Sequence, residues 1–309
     1  MPAHRLAVRE FLKDPGLTPG DLAMVFLMRE EDDATSRSMP TMTVRELPEA
    51  VKALESAGIT SVKIFAGSKL RDAQASQHAS PTGLMARSIA AAKKAAPNVL
   101  VMTETCVCQH NDTGECWLAG TNGRMDVEGT IEALGFQAVM QAEAGADIVG
   151  PAAMIPGSVR RVRQALDGAE HHNVGIMPHL IFASSLYEGF RTSMGATPRS
   201  GVRAFQIPPN HPEQAVHTAL QMVDEGADMI LTEPALHTVD TLVHLKDKIP
   251  VPLVPFSVSG EYLRLTDRRD DGERDVKPLV EAYTVLKRVG ATRIITYAAP
   301  EIARSLKAS

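Results

Sequence analysis

Four segments of the chain share one pattern of apolar and polar positions. In each, an amphipathic run with helical periodicity ends at a glycine, and a short β-branched apolar segment follows. The four glycines are Gly58, Gly145, Gly226 and Gly290. A glycine just past a helix permits the left-handed backbone that ends it, and a continuous apolar segment is typical of a strand buried on both faces. The pattern therefore predicts repeated helix-to-strand units around a parallel sheet.

Further short apolar segments predict more strands. They span residues 22–27, 99–103, 174–179 and 252–256. About eight strands that alternate with amphipathic helices favour an α/β fold, a (β/α)8 TIM barrel, with an open doubly wound sheet as the alternative. In such a barrel the catalytic groups lie at the carboxyl ends of the strands.

The first part of the chain differs from these units. Residues 1–35 contain Pro15, Pro19 and a charged run at 29–33. We interpret them as an N-terminal arm that embraces a neighbouring subunit, and residues 36–309 as the barrel. This predicts a homo-oligomer.

Charge and composition exclude several classes of partner. The net charge is −5, and no run of five like charges occurs, so the chain has no electrostatic footprint for nucleic acid. No stretch approaches the roughly 18 consecutive apolar residues of a membrane span, and the first residues lack the apolar segment of a signal peptide. Neither G-x-G-x-x-G after a strand nor a P-loop is present. We expect a cytoplasmic protein with a small-molecule substrate.

The three cysteines of the chain are clustered. Cys106, Cys108 and Cys116 fall within the segment MTETCVCQHNDTGEC, directly after a predicted strand. An odd, tight cluster suits a metal site in a reducing compartment better than disulfides. Three thiolates are three corners of a zinc tetrahedron, and a catalytic zinc leaves the fourth corner open. The alternative is three unrelated cysteines in a core strand and loop.

The loop between the second and third cysteine carries other potential ligands. His110, Asp112 and Glu115 are candidates for a fourth ligand or for groups that orient the ligands. Each is also compatible with an ordinary solvated loop position.

The cysteine segment resembles the zinc loop of zinc-dependent porphobilinogen synthases (5-aminolevulinate dehydratases), and the resemblance continues over nearly the whole chain. Further similar segments, in the same order, are AGADIVGPAAMIPGSVRRVRQALD, FASSLYEGFR, FQIPPN, EGADMILTEPAL, VSGEY and IITYAAP. The resemblance implies a (β/α)8 barrel with an N-terminal arm, assembled as dimers into hexamers or octamers. It also implies a reaction that condenses two 5-aminolevulinate molecules into a pyrrole, with two lysines as Schiff bases and zinc activating one substrate.

The chain departs from this family where the chemistry occurs. The positions of the two Schiff-base lysines are Ile181 and Glu233, and neither side chain forms an imine. The Ser-Asp pair of the family is replaced by Ala152 and Ala153, and an arginine by Ser158. These losses predict a reaction other than porphobilinogen synthesis.

Other functional positions of the family are retained. Arg191 matches one of its two substrate-carboxylate arginines, and the other is replaced around Val202, where Arg203 or Arg199 is a candidate substitute. The remaining matches are Phe65, Ser259, Tyr297 and, in place of an aspartate beside the cysteines, Glu104. Because serine and tyrosine at these positions bind a substrate carboxylate in the family, we expect a carboxylate-bearing substrate.

Strand alternation places two more charged residues in the barrel. Lys63 lies two residues before Phe65 and His179 two before Ile181, so each shares a face with a site position. We hypothesise that Glu233 is a general base or a ligand for substrate or a second metal, that His179 assists it, and that zinc is a Lewis acid. Lys63 is a candidate for a relocated imine-forming lysine. The alternatives are a structural Lys63–Glu233 ion pair and a hydrogen-bonded core histidine.

Three functions are compatible with this sequence. The first is a zinc enzyme with lyase-like chemistry on a small amino or keto acid, in specialised metabolism. The second is a non-catalytic zinc-binding homologue. The third is an atypical porphobilinogen synthase that uses Lys63.

Overall fold

The structure, a computed structural model, describes residues 16–308 except residues 34, 36, 68, 202 and 271. Its centre is a ring of parallel strands, the fifth of which is in two segments. The strands are β1 (Leu22–Met28), β2 (Ser61–Ala66), β3 (Leu100–Thr103), β4 (Ile148–Val149), β5 (Gly175–Ile176 and His179–Ile181), β6 (Ile230–Glu233), β7 (Leu253–Pro255) and β8 (Ile294–Thr296).

Backbone hydrogen bonds join these strands into a closed ring. The order β8-β1-β2-β3-β4-β5 forms one ladder, and the second segment of β5 continues into β6 and β7. A parallel bridge between Phe256 and Ile295, with Ser257 N donating to Ile295 O at 2.8 Å, joins β7 to β8. The predicted barrel is therefore confirmed, and the open doubly wound sheet is wrong, because no strand of this ring is left at an edge.

Helices connect the strands and cover the outside of the ring. Those described are α1 (Leu47–Ala57), α2 (Leu84–Ala95), α3 (Val127–Glu143), α4 (Ser158–Gly168), α5 (Glu188–Met194), α6 (Pro212–Asp224), α7 (Val239–Leu245), α8 (Ser259–Leu265), α9 (Lys277–Val289) and α10 (Ala299–Ala308). None of them is both long and apolar enough to cross a membrane.

The glycines that the sequence pattern singled out end helices as predicted. Gly58 and Gly290 have φ values of +89° and +119°, and Gly145 and Gly226 both have +105°. Residues with a side chain rarely adopt these left-handed φ values, so glycine is favoured at each turn from a helix into β2, β4, β6 or β8.

The predicted boundary between arm and barrel needs correction. Residues 1–15 lie outside the described residues, but β1 pairs with β2 over six positions and with β8 over three. Leu22–Met28 is thus the first strand of the barrel, and a boundary at residue 35 is too late. The sequence did predict a strand at residues 22–27, but the prolines before it and the charged run after it led to its assignment to the arm.

Candidate active site and metal centre

One pocket lies at the carboxyl ends of the barrel strands. Its lining consists of Phe65, Glu104, Cys108, Cys116, Ala152, His179, Ile181, Tyr187, Phe190, Arg191, Arg203, Gln206, Glu233, Phe256, Val258, Ser259 and Tyr297. The structure thus brings together ten of the twelve site residues predicted from the sequence. The other two, Cys106 and Lys63, are buried beneath the lining.

The three cysteines converge on one point. The Sγ atoms of Cys106, Cys108 and Cys116 all lie within 4.8 Å of one another. The first two follow β3 directly and are buried, and the third returns on the loop that packs over them. Three sulfurs at this separation could hold a metal ion, so the alternative of three unrelated cysteines is wrong.

A half-buried arginine contacts the third cysteine. Arg203 Nη1 donates to Cys116 Sγ at 2.6 Å and to Gly114 O at 3.1 Å. Hydrogen bonds from the other two thiols, together with the Arg203 charge, hold the pKa of Cys116 well below the usual range for a thiol despite its burial. This shift favours the thiolate form of Cys116, the protonation state that a metal requires. Arg203, predicted to bind substrate, has its guanidinium on the cysteine loop.

None of the three candidate fourth ligands joins the sulfurs in the described part of the chain. Glu115 Oε1 accepts a hydrogen bond from Ser200 N at 3.0 Å, and Asp112 is exposed. His110 Nε2 faces the Gln137 amide at 3.4 Å, behind Cys106. The fourth position of a tetrahedral metal site would therefore face the pocket, which Cys108, Cys116 and Glu104 all line.

Glu104 stands beside the cysteines at the end of β3. Burial, reinforced by the Cys116 charge, raises the pKa of Glu104 to about 8. Gln109 Nε2 donates to Glu104 Oε2. Sequence analysis missed Gln109, for which only its place between two cysteines was a signal.

His179 and Glu233 form a buried pair across β5 and β6. Nδ1 of His179 lies 2.9 Å from Oε1 of Glu233, and the two side chains are only 2% and 6% exposed. Burial raises the pKa of Glu233 to about 8. Burial also lowers the pKa of His179 far below its usual value, with help from the charge of Lys63, so the imidazole is neutral. Nε2 of His179 is buried without a hydrogen-bond partner.

Lys63 lies below this pair, on β2. Its side chain is 0% exposed, and Nζ donates to Thr103 O at 2.9 Å. Burial lowers the pKa of Lys63 to about 8, against the opposing effect of Glu104 and Glu233. Among the described residues no salt bridge joins Lys63 to Glu233, so the structural ion pair is not formed directly.

The positions that the resemblance assigns to the two lysines of the family are neighbours. Ile181 pairs in register with Glu233, and both side chains line the pocket. As far as the structure describes the chain, no lysine is part of the lining. A substrate in this pocket therefore faces a carboxyl group and an apolar side chain where an imine would require amines.

The polar side chains at the predicted carboxylate-binding end of the pocket differ in whether they already have hydrogen-bond partners within the protein. Tyr297 Oη is buried without a hydrogen-bond partner, and burial holds the pKa of this phenol above its usual value, so it can donate. Ser259 Oγ donates to Leu186 O and accepts from Phe190 N, both at 3.0 Å. Arg191 Nη1 contacts Glu188 Oε1 at 3.0 Å. Tyr297 is thus the hydroxyl of this end that is free for a ligand.

The structure also adds lining residues that the sequence did not indicate individually. Phe190 and Phe256 flank Phe65, with ring centroids 5.1 and 5.9 Å away. Tyr187, whose ring lies 5.3 Å below the Arg191 guanidinium, belongs to the FASSLYEGFR segment and could have been found there. Gln206 offered no comparable signal.

Comparisons with known proteins agree over the length of the chain. The sequence profile of the family "Delta-aminolevulinic acid dehydratase" matches residues 3–305. Proteins of that name from Bacillus subtilis (strain 168) and Escherichia coli (strain K12) are 33% and 32% identical, covering 97% and 96% of this chain and 95% and 94% of their own lengths.

A solved structure gives the same result. The delta-aminolevulinic acid dehydratase (porphobilinogen synthase) of Toxoplasma gondii ME49, crystallised with its product porphobilinogen, superimposes with a TM-score of 0.90 at 28% identity, over 98% of this chain and 90% of that one. By sequence profile, identity and fold, this chain belongs to the delta-aminolevulinic acid dehydratase family.

Proposed function

We propose that this chain is a zinc enzyme that acts on a small carboxylate-bearing amino or keto acid without a Schiff base, in a pathway of specialised metabolism. The observation that carries the proposal is the His179–Glu233 pair at a position where the family reaction needs an amine. A carboxylate held by an imidazole is suited to proton transfer and unsuited to imine formation.

The donor set fits zinc. Thiolates about 2.3 Å from a tetrahedral zinc lie about 3.8 Å apart, which the three sulfurs, within 4.8 Å of one another, reach with small adjustments. Cys106, Cys108 and Cys116 would hold the ion, and the pocket would supply the fourth position. When bound, zinc supplies a Lewis acid that polarises a carbonyl oxygen.

Other residues of the pocket bind the substrate and transfer the proton. The phenol of Tyr297 donates to the substrate carboxylate, with the Arg191 guanidinium nearby, and the Phe65 ring packs against the carbon chain. Ionised Glu233 removes a proton from the carbon next to the substrate carbonyl. The electron pair of the C–H bond forms the carbon–carbon double bond of an enolate, and the proton is held on a carboxylate oxygen of Glu233. The His179 ring orients this carboxylate through the 2.9 Å hydrogen bond.

Deuterium exchange tests this step without knowledge of the product. Zinc-loaded protein is incubated in D2O with small keto and amino acids, and loss of the proton next to the carbonyl is followed by NMR. We expect exchange in the wild type and a loss of about 100-fold or more in Glu233→Gln, since a general base usually contributes about 100-fold to 10,000-fold. Glu49→Gln, an exposed carboxylate on α1 that is 83% exposed, is the matched control and should exchange like the wild type.

Other outcomes would favour other functions. A pyrrole detected with Ehrlich reagent after incubation with 5-aminolevulinate would show porphobilinogen synthesis by an atypical route and would contradict the proposal. Zinc binding with no exchange for any acid of the panel would favour the non-catalytic homologue. We also propose that the chain is a homo-oligomer, which light scattering would test.

A further inference from the structure

Lys63 has no role in the proton transfer proposed above, although its charged side chain is fully buried near His179 and Glu233. Nζ donates to Thr103 O at 2.9 Å and lies 5.3 Å from the centre of the Phe65 ring, which separates it from the pocket. The lysine does not belong to the pocket lining. A buried charge is destabilising unless it interacts with other groups, which points to a role for the groups around Lys63.

Gly150, at the end of β4, brings Lys63 close to His179. A Cβ atom at this glycine would lie 3.0 Å from Lys63 Nζ, 3.1 Å from His179 Nε2 and 2.6 Å from Thr103 O. The ammonium group and the unpartnered ring nitrogen therefore approach the same point, which only a residue without a side chain leaves free. The carbonyl at this point, Thr103 O, already accepts from Lys63.

The hydrogen bond between Glu233 and His179 Nδ1 contains one proton, which can belong to either partner. If Glu233 is protonated, it donates to Nδ1 of His179, and Nε2 carries a hydrogen. If Glu233 is ionised, Nδ1 donates and Nε2 presents its lone pair. An ammonium group beside Nε2 repels an N–H hydrogen and attracts a lone pair, so it favours the second state.

We infer that Lys63 is a positioning residue whose charge favours the His179 tautomer with hydrogen on Nδ1 and thereby makes the ionised form of Glu233 easier to reach. The catalytic meaning of this inference rests on the proposed function, but the position of the proton is measurable without a substrate. Lys63 acts through His179 and does not contact the substrate.

The positive charges around the pair act in the same sense as Lys63, and the Cys116 charge opposes them. The Lys63 charge lowers the pKa of His179 in addition to burial, and it is the largest influence that opposes burial at Glu233. The other groups facing Glu233 are Arg203 and Arg191, which favour its ionisation, and Cys116, which opposes it. The phenols of Tyr187 and Tyr297 also feel its charge. On the other side of Lys63 stands Glu104.

Infrared titration tests the inference in the zinc-loaded protein. The C=O stretch of protonated Glu233 is identified by its absence in Glu233→Gln, and its midpoint is followed with pH. In Lys63→Met the midpoint should move up by about one to three pH units, the usual effect of losing an opposite charge at short range. Lys63→Gln, which keeps a donor for Thr103 O but not the charge, should show the same shift. Lys52→Met, half-exposed on α1, should show none.

A second readout is the tautomer of His179, measured by 15N NMR of the imidazole and assigned by comparison with His179→Gln. In the wild type we expect Nε2–H below the Glu233 midpoint and hydrogen on Nδ1 above it, and in both Lys63 variants this change of tautomer should move to higher pH together with the midpoint. An unchanged midpoint in a folded variant, or a shift in Lys63→Met but not in Lys63→Gln, would overturn the inference. So would a borohydride-trapped adduct on Lys63, because the amine would then reach the substrate. If Glu233 is not the base, these shifts persist while deuterium exchange is unaffected by Glu233→Gln.

Discussion

Ile181 and Glu233 are register partners on the neighbouring strands β5 and β6, and both side chains line the pocket. The resemblance to porphobilinogen synthases assigns the two imine-forming lysines to these positions. Since register partners on adjacent parallel strands stand side by side, the two replacements change one continuous patch of the pocket wall. An apolar and an acidic group stand there in place of two amines.

Returning an amine to this patch should restore imine formation. Glu233→Lys places a lysine in the pocket, where burial and the nearby Lys63 charge lower its pKa and leave part of it as a neutral nucleophile. Treatment with 5-aminolevulinate and borohydride should add one reduced adduct to most chains, read by intact mass and located by peptide mapping. Wild type and Glu49→Lys, an exposed site on α1, should add none. Failure of a folded Glu233→Lys to react would show that position 233 does not face the substrate.

The raised pKa of Glu233 should make stability depend on pH. Its pKa is about 8 in the folded protein and about 4.5 in the unfolded chain, so the proton is held more tightly in the folded state. The stabilisation linked to this proton is complete below about pH 4.5 and is lost as the pH rises through about 8. Relative to the wild type, Glu233→Gln should gain roughly 2–4 kcal/mol in unfolding free energy between pH 5 and pH 9, at about 1.4 kcal/mol per pKa unit. Urea unfolding curves at both pH values provide the comparison, and parallel changes in the two proteins would contradict the assignment.

Metal binding should depend on each of the three sulfurs. The wild type should bind one zinc per chain, and Cys108→Ala, which leaves two thiolates, should bind it at least about tenfold more weakly. Metal analysis after dialysis against a competing chelator measures the difference. Asp112→Ala, an exposed loop residue outside the sulfur cluster, is the control and should retain its zinc. Equal zinc content in wild type and Cys108→Ala would contradict the proposal that these cysteines hold a metal.

The two hydroxyl groups at the carboxylate-binding end should respond differently to deletion. Ser259 Oγ satisfies two backbone groups, so Ser259→Ala should cost about 1–3 kcal/mol of stability. Tyr297 Oη has no partner in the described structure, so Tyr297→Phe should leave the stability unchanged or raise it, and should weaken binding of a carboxylate ligand by about tenfold. Denaturation and calorimetric titration with levulinate separate the two effects. Equal stability losses in both variants would contradict this division.

Local sequence patterns were sufficient to predict the helices and strands and the cysteine cluster that could hold a metal. Apolar segments that follow Gly58, Gly145, Gly226 and Gly290 are recognisable because helix termination and strand burial depend on neighbouring residues. The cysteine cluster is recognisable for the same reason, since ten residues separate Cys106 from Cys116 and one loop closes the site. Strand alternation also placed Lys63 and His179 inside the barrel.

Contacts between distant strands could not be read from these patterns. The closing of the ring decides that β1 belongs to the barrel and that Ile181 stands beside Glu233. Likewise, the Arg203 contact with Cys116 joins loops 87 residues apart, and a predicted substrate group is thereby found at the metal centre. Sequence periodicity states which face a side chain occupies, but not which atom it meets there.

The sequence by itself determined the barrel units and the cluster of three cysteines, because each of these is a matter of residue type and local spacing, and the resemblance to the family assigned Ile181 and Glu233 to the positions of its two imine-forming lysines. Only the tertiary structure decided that Lys63 is buried against Phe65 and that Lys63 and His179 both approach Gly150. This arrangement brings together β2, β4 and β5, and it is set by ring closure and by the missing side chain of one glycine. The position of the proton on the His179–Glu233 pair therefore depends on the charge of Lys63, which lies 116 residues earlier in the chain than His179.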